Sequence, residues 1–240
     1  MLPNSRLGQS ACCYKLKGRD VIVAAGCDGR YRRNWMECIM NDREGIFAGD
    51  DPFGIARSWL QEATPLEPSD ANAAALASVD GDGMPDLRIV LIKDIEDDGF
   101  VFFTNYDSRK GQEIAETGKA ALNIHWKSLG RQIRVRGEIA KLAKADSDDY
   151  YNSRPLGSRI GAWASHQSEP LAQKSDLLEA VSAAEEKFGA TPSRPPHWGG
   201  YKITPLEIEF WSAGEFRLHD RFRWTRLNAR NNWEITRLNP

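Results

Sequence analysis

Beyond residue 38 the sequence has no cysteine. Its four cysteines, Cys12, Cys13, Cys27 and Cys38, all lie near the start. A disulfide framework and a cysteine nucleophile are therefore excluded from the rest of the chain. The four also lack the CxxC-like spacing of a zinc site, so no metal is expected. Charge of one sign is missing as well. The 240 residues carry a formal net charge of −2, which argues against a general nucleic-acid binder. No apolar run approaches the roughly 18 residues that a membrane-crossing helix needs. Neither a Gly-x-Gly-x-x-Gly nor a Walker motif occurs, which removes the common phosphate loops. What is there is an ordinary globular composition, 41% hydrophobic and 28% charged, long enough for one sizeable domain or two small ones.

Residues 1–39 differ from the remainder. They carry seven Lys/Arg against three Asp/Glu, whereas residues 40–240 carry 25 against 31. They show no helical or alternating period. The stretch from Val21 to Cys27 looks like a lipoprotein cleavage site, but it is short and Asp20 interrupts it. Residues 1–39 are expected to form a disordered extension. Residues 40–240 are expected to form the main domain, with Met40 a candidate native start.

From Asp51 onward the elements are readable. Asp51-Pro52 is an N-cap and N1 pair, and Phe53, Ala56, Trp59, Leu60 and Ala63 follow at helical spacing, which predicts a helix over 52–63. Strands are expected at 73–80 and 86–95, joined by the turn Gly81-Asp82-Gly83, then at 99–104, 119–126 and 131–142. A short helix is expected between about 107 and Gly118. Residues 145–153, 156–165 and 170–188 read as helices, and 201–211, 217–227 and 232–238 as closing strands. A strand meander, a helical insertion and more strands do not make a βαβ alternation. The pattern predicts a mainly β, α+β fold: an antiparallel barrel with peripheral helices, closed to remove sheet edges.

Five polar blocks stand out. Arg88 and Lys93 flank the apolar run Ile89-Val90-Leu91-Ile92; the cations call for an anion or for strand ends that reach water. Thr104-Asn105 and Ser108-Arg109-Lys110 put hydroxyls and cations at a helix start, which suits an oxyanion or an ordinary cap. Gln132 lies among alternating arginines that also fit a solvated strand face. Tyr150, Arg154 and Ser158 recur at four-residue spacing across Pro155, a reasonable phosphate clamp bent at the proline. Gln167-Ser168 follows. Trp211 precedes Glu215-x-Arg217-Leu218-His219-Asp220-Arg221.

Taken together and in this order, these blocks resemble the pyridoxine/pyridoxamine 5′-phosphate oxidase family. The likeness runs through residues 51–240. It rests on Arg-Ile-Val-Leu-Ile-Lys, Phe-Phe-Thr-Asn, Ser-Arg-Lys, Ser-Arg-Pro-x-x-Ser-x-Ile-Gly-Ala-Trp, Phe-Trp and Arg-Leu-His-Asp-Arg. The resemblance implies a split β-barrel that works as a homodimer, with FMN between the subunits. It implies oxidation of pyridoxine or pyridoxamine 5′-phosphate to pyridoxal 5′-phosphate, with O2 as acceptor and H2O2 as product. By the same resemblance, Arg88, Ile89, Val90, Leu91, Lys93, Phe103, Thr104, Arg109, Lys110, Gln132, Gln167, Ser168, Trp211 and Arg221 contact FMN. Lys93, Tyr150, Arg154 and Ser158 hold the substrate phosphate. Arg217 and His219 sit against the pyridine ring as the catalytic pair. Phe103 stands where the family often has Tyr, and Leu156 where it often has Arg. Residues 30–34, Arg-Tyr-Arg-Arg-Asn, superficially resemble the family's N-terminal arm. Two other readings stand beside it: a flavin reductase-like split barrel, which keeps the Arg88–Lys110 region but has no need of Arg154, Ser158, Arg217 and His219, or a pyridoxal phosphate or flavin carrier or sensor that uses the same pockets without turnover. With no convincing signal and a cysteine-free main domain, the expected location is the cytoplasm.

Overall fold

Pro52 begins the first helix, α1 (Pro52–Ala63), because Asp51 caps it: the Asp51 carboxylate accepts the N–H groups of Phe53 and Gly54, each at 2.9 Å. The computed structural model describes residues 43–240. The expectations for residues 1–39, including the start at Met40 and the arm-like 30–34, lie outside the described residues. The apolar stripe of α1 buries Phe53, Ala56, Trp59 and Ala63.

Eight antiparallel strands follow: β1 (Ala73–Val79), β2 (Pro85–Ile95), β3 (Phe100–Asn105), β4 (Lys119–Trp126), β5 (Arg131–Lys141), β6 (Trp198–Ser212), β7 (Asp220–Thr225) and β8 (Glu234–Arg237). They are ordered β3-β2-β1-β4-β5-β6-β7-β8, and β3 also pairs with β6. That pairing closes six strands into a barrel and leaves β7 and β8 running on from β6. Strand alternation supplies the interior: Leu76, Phe100, Phe102, Leu122, Ile124, Ile133, Val135, Ile203, Ile208 and Phe210 are all buried. Trp59 enters this core edge-on to Phe210, with ring centroids 5.1 Å apart, and its Nε1–H donates to Ile46 O at 2.9 Å. Trp59→Ala is expected to cost about 3–5 kcal/mol, a fall in melting temperature of roughly 10 °C for a unit of this size, measurable by thermal unfolding.

β6 must serve two neighbours, and a bulge lets it. Its first half pairs with β3 and its second half with β7, while β5 follows it from Tyr201 to Ser212. The β5–β6 register shifts between Arg136 and Gly137, where Pro205, with no N–H to give, is accommodated. A Cβ on Gly137 would lie 2.1 Å from Thr204 O, so glycine permits the close approach.

Helices α2 (Arg109–Thr117), α3 (Lys144–Ser153), α4 (Leu156–Ala164) and α5 (Lys174–Phe188) complete the chain; the last three form the insertion between β5 and β6. Three expectations shift. The helix read from 170 starts at Lys174. The strand read from 201 starts at Trp198. The strand read from 217 starts only at Asp220, because Glu215–Arg217 forms a single tight turn with Phe216 and Arg217 at φ of +54° and +64°. No helix among the described residues is long and apolar enough to cross a membrane.

Candidate active site

β2, β3, the start of α2 and the α3–α4 bend enclose a cleft of about 670 Å³. It gathers much of the expected site: Ile89, Val90, Leu91, Lys93, Phe103, Thr104, Lys110, Tyr150, Arg154, Ser158 and Gln167. Three of these are cations, and no lining residue is a carboxylate. Pro155 separates α3 from α4, so Tyr150 and Arg154 approach from one side of the bend and Ser158 from the other. Asn105 Nδ2 donates to Ser165 O at 3.3 Å, which ties the end of α4 to β3.

Lys110 is buried, and its Nζ donates to Gln167 Oε1 at 2.9 Å and Ser108 Oγ at 3.1 Å. Thr104 Oγ1 donates to the same Gln167 oxygen at 3.3 Å. Burial first, then repulsion from Arg88, brings the Lys110 ammonium down to about 8, although Asp86 and Glu113 oppose the change. Arg154 is held below its usual range by burial, and its Nη1 is buried with no partner. A desolvated ammonium and an orphaned guanidinium in a carboxylate-free cleft fit an anionic group such as a phosphate ester.

The pH dependence follows. Lys110 is cationic below about pH 8 and neutral above it. The affinity of the cleft for a phosphate monoester should fall about tenfold between pH 7 and 9, with Lys110→Gln flattening that slope. Titration with a fluorescent phosphate monoester across that range checks this; a slope unchanged in the variant would assign the dependence elsewhere.

The remaining expected residues do not line this cleft. Gln132, Trp211 and Arg221 lie side by side across β5, β6 and β7, since Gln132 pairs with Trp211 and Trp211 with Arg221. His219 packs its ring 4.6 Å from that of Trp211. Its Nδ1 accepts the Gly214 N–H at 3.2 Å, so in the neutral ring the proton sits on Nε2. Arg221 is held by the buried Glu209 at 2.8 Å. This cluster occupies the far end of β6. Trp198, at the cleft, and Trp211 are separated by thirteen steps of one strand, roughly 40 Å along its path.

Arg88 and Arg109 are engaged by the chain's own acids. Arg88 Nη2 lies 2.6 Å from Asp86 and 3.3 Å from Glu113, and Arg109 Nε lies 3.0 Å from Glu113. Burial raises the Glu113 carboxyl, but Ser78, Arg109 and Arg88 together outweigh it and hold the group below its ordinary value. Arg88 therefore has anionic partners within the chain. Ser108, read as a cap, directs its hydroxyl to Asn105 O instead of to a helix N–H. Ser168 stands outside the cleft lining, with φ of +77°. Leu156 is exposed at the start of α4.

Residues 61–212 match the family described as pyridoxamine 5′-phosphate oxidase, and residues 198–240 match the pyridoxine 5′-phosphate oxidase C-terminal dimerisation region. This chain belongs to the pyridoxamine 5′-phosphate oxidase family. It is 56% identical over 220 residues to the pyridoxine/pyridoxamine 5′-phosphate oxidase of Paracoccus denitrificans, covering 84% of this chain and all of that one. It is 59% identical over 199 residues to the same-named protein of Cereibacter sphaeroides, covering 83% and 100%. The crystal structure of PhzG from Burkholderia lata, in complex with tetrahydrophenazine-1-carboxylic acid, superimposes with a TM-score of 0.75 at 33% identity, covering 80% of this chain and 94% of that one. For an oxidase of this family the sequence reading missed one large side chain of the cleft, Trp198. The available signal was Trp-Gly-Gly at 198–200: a Cβ on Gly199 would lie 2.2 Å from Tyr106 Oη, and one on Gly200 2.5 Å from Leu142 Cδ1. Paired glycines beside an aromatic mark such a close approach.

Proposed function

We propose that this chain is the FMN-dependent oxidase that converts pyridoxine 5′-phosphate or pyridoxamine 5′-phosphate to pyridoxal 5′-phosphate. Relatives of that name at more than half identity support the activity. The observation that carries the site assignment is the carboxylate-free, cation-lined cleft with the unpartnered Arg154 guanidinium. FMN, when bound, supplies the two-electron acceptor that O2 reoxidises, with H2O2 as product.

The chain's own residues have three tasks. Lys93, Tyr150, Arg154 and Ser158 pin the substrate phosphate, and that binding orients the ring for reaction. Lys110, Thr104 and Gln167, with Ile89 to Leu91 and Phe103, hold FMN. Arg217 stabilises charge near C4′, and His219, its Nε2–H free of the Gly214 contact, orients the substrate. The alcohol is oxidised to the aldehyde; the amine gives an imine that water hydrolyses with release of ammonia.

The chain works as a homodimer, consistent with its dimerisation region at 198–240. Each site combines the cleft of one protomer with the Gln132–Trp211–Arg217–His219 cluster of its partner. The separation of these groups at opposite ends of β6 supports this arrangement. So does Ile89, which lines the cleft yet is 66% exposed in one chain. Residues 40–240 act as one catalytic domain, and its lack of cysteine supports a cytoplasmic location.

The test is direct. Purified protein is examined for a flavin spectrum, then given pyridoxine 5′-phosphate in air while pyridoxal 5′-phosphate and peroxide are followed together. Equal amounts of both products are expected. A flavin spectrum with no turnover would reject the oxidase reading in favour of a carrier.

A further inference from the structure

We propose that Trp198 is a positioning residue for the phosphate clamp: its indole face holds the Arg154 guanidinium in the cleft without neutralising it. This rests on the reading of Arg154 as a phosphate ligand. Arg154 Cζ lies 4.4 Å from the Trp198 ring centroid. Arg88 and Arg109 show the alternative way to fix a guanidinium, on the carboxylates of Asp86 and Glu113. A carboxylate there would compete with an incoming phosphate. A ring quadrupole attracts the cation while leaving its full charge and its N–H donors available. The unpartnered Nη1 of Arg154 is the expected consequence.

The same indole reaches a second member of the clamp. Phe103 stacks on Tyr150 with centroids 3.8 Å apart and planes 19° apart, and it lies nearly parallel to Trp198 at 5.6 Å. Tyr150 is itself within 7° of parallel to Trp198, at 6.2 Å. Tyr151, from the same helix, meets Trp198 edge-on at 5.5 Å. Phe103 thus contributes an aromatic face to the stack. Trp198 is anchored from below: Arg194 donates to its carbonyl oxygen and pairs with Asp148 on α3. One ring therefore sets both Tyr150 and Arg154, which lie on the α3 side of the break at Pro155.

The test is a double-mutant cycle in FMN-loaded enzyme, with inorganic phosphate as a competitive probe. Trp198→Met keeps bulk but removes the quadrupole. It should raise KM for pyridoxine 5′-phosphate and Ki for phosphate about tenfold, with kcat little changed. Trp198→Phe should recover most of that loss. In an Arg154→Ala background Trp198→Met should add nothing further. An equal KM increase in both backgrounds, or a fall in kcat at unchanged KM, would make Trp198 a packing residue only. Arg154→Ala with an unchanged KM would instead overturn the clamp reading itself. If Trp198→Met does not retain FMN, Trp198→Leu, which also lacks the quadrupole, carries the same cycle, and no coupling to Arg154 there overturns the proposal.

Discussion

Arg217→Ala is expected to lower kcat about 100- to 1,000-fold, the usual loss when one preorganised charge-stabilising donor is removed. Bound flavin and the KM for phosphorylated substrate should stay close to wild type, because Lys110 and Arg154 stand in the cleft at the other end of β6. The backbone around Arg217 supports a dedicated role. Phe216 and Arg217 both hold positive φ, a conformation that costs non-glycine residues on the order of 1–3 kcal/mol each. The turn is fixed from both sides. The Leu218 N–H donates to Glu215 O at 3.0 Å, and His219 Nδ1 accepts the Gly214 N–H. A Cβ on Gly214 would lie 1.9 Å from Leu218 O, so the loop closes only over a glycine. Strain kept in an exposed turn needs a compensating use, and presenting Arg217 and the Nε2–H of His219 supplies one. Steady-state kinetics beside the visible flavin spectrum makes the check. A variant with normal turnover, or one that loses flavin and activity together, removes Arg217 from the chemistry.

The elements that were legible are those whose signals are local. Asp51-Pro52 announced α1 because cap and helix are neighbours in sequence, and the side-chain oxygens of Asp51 bond where expected. The β1–β2 turn was legible through its glycines, and Gly83 takes a φ of +87°. Closure of the barrel followed from the edge problem, although the particular β3–β6 pairing could not be read from either strand alone. Lys110, Thr104 and Gln167 were named together and do meet around one Gln167 oxygen. What stayed hidden depends on distant partners. Arg88 appeared to need an anion, but its partner Glu113 is 25 positions away on a helix whose packing the strand pattern does not encode. The turn at 215–217 interrupts a stretch with strand-like composition, and its positive φ values fall on Phe and Arg, which carry no turn signal. The resemblance implied FMN between subunits, but which expected residues share one protomer's cleft could not be read from the sequence. Gln132 and Trp211 were expected on the same cofactor as Lys110 and Gln167, yet they pair across β5 and β6 at the end of β6 away from the cleft.

That division leads to a reversal of activity between two heterodimers. One partner carries Arg154→Ala and the other Arg217→Ala, and two tags isolate the mixed dimer. If each site takes its cleft from one protomer and its Arg217 from the other, the two substitutions fall in the same site. The second site is then intact, and about half of wild-type activity should remain. Placing both substitutions in one chain, opposite a wild-type partner, damages each site once and should leave little activity. Sites built within single chains give the opposite order, with the first dimer inactive and the second at about half. The expected effect is large because each parent homodimer is itself impaired, through KM in one case and kcat in the other, so assays run well below the KM of Arg154→Ala. The comparison also needs no assumption about how either substitution affects folding. Both heterodimers contain the same two changes and differ only in which chain bears them. The two chain-ends of β6 are connected by one continuous strand, so neither cluster can move to the other within a protomer without unpairing β3 or β7. Retention of activity in the first dimer therefore assigns Arg217 to the partner's cleft, and its retention in the second returns both halves to one chain.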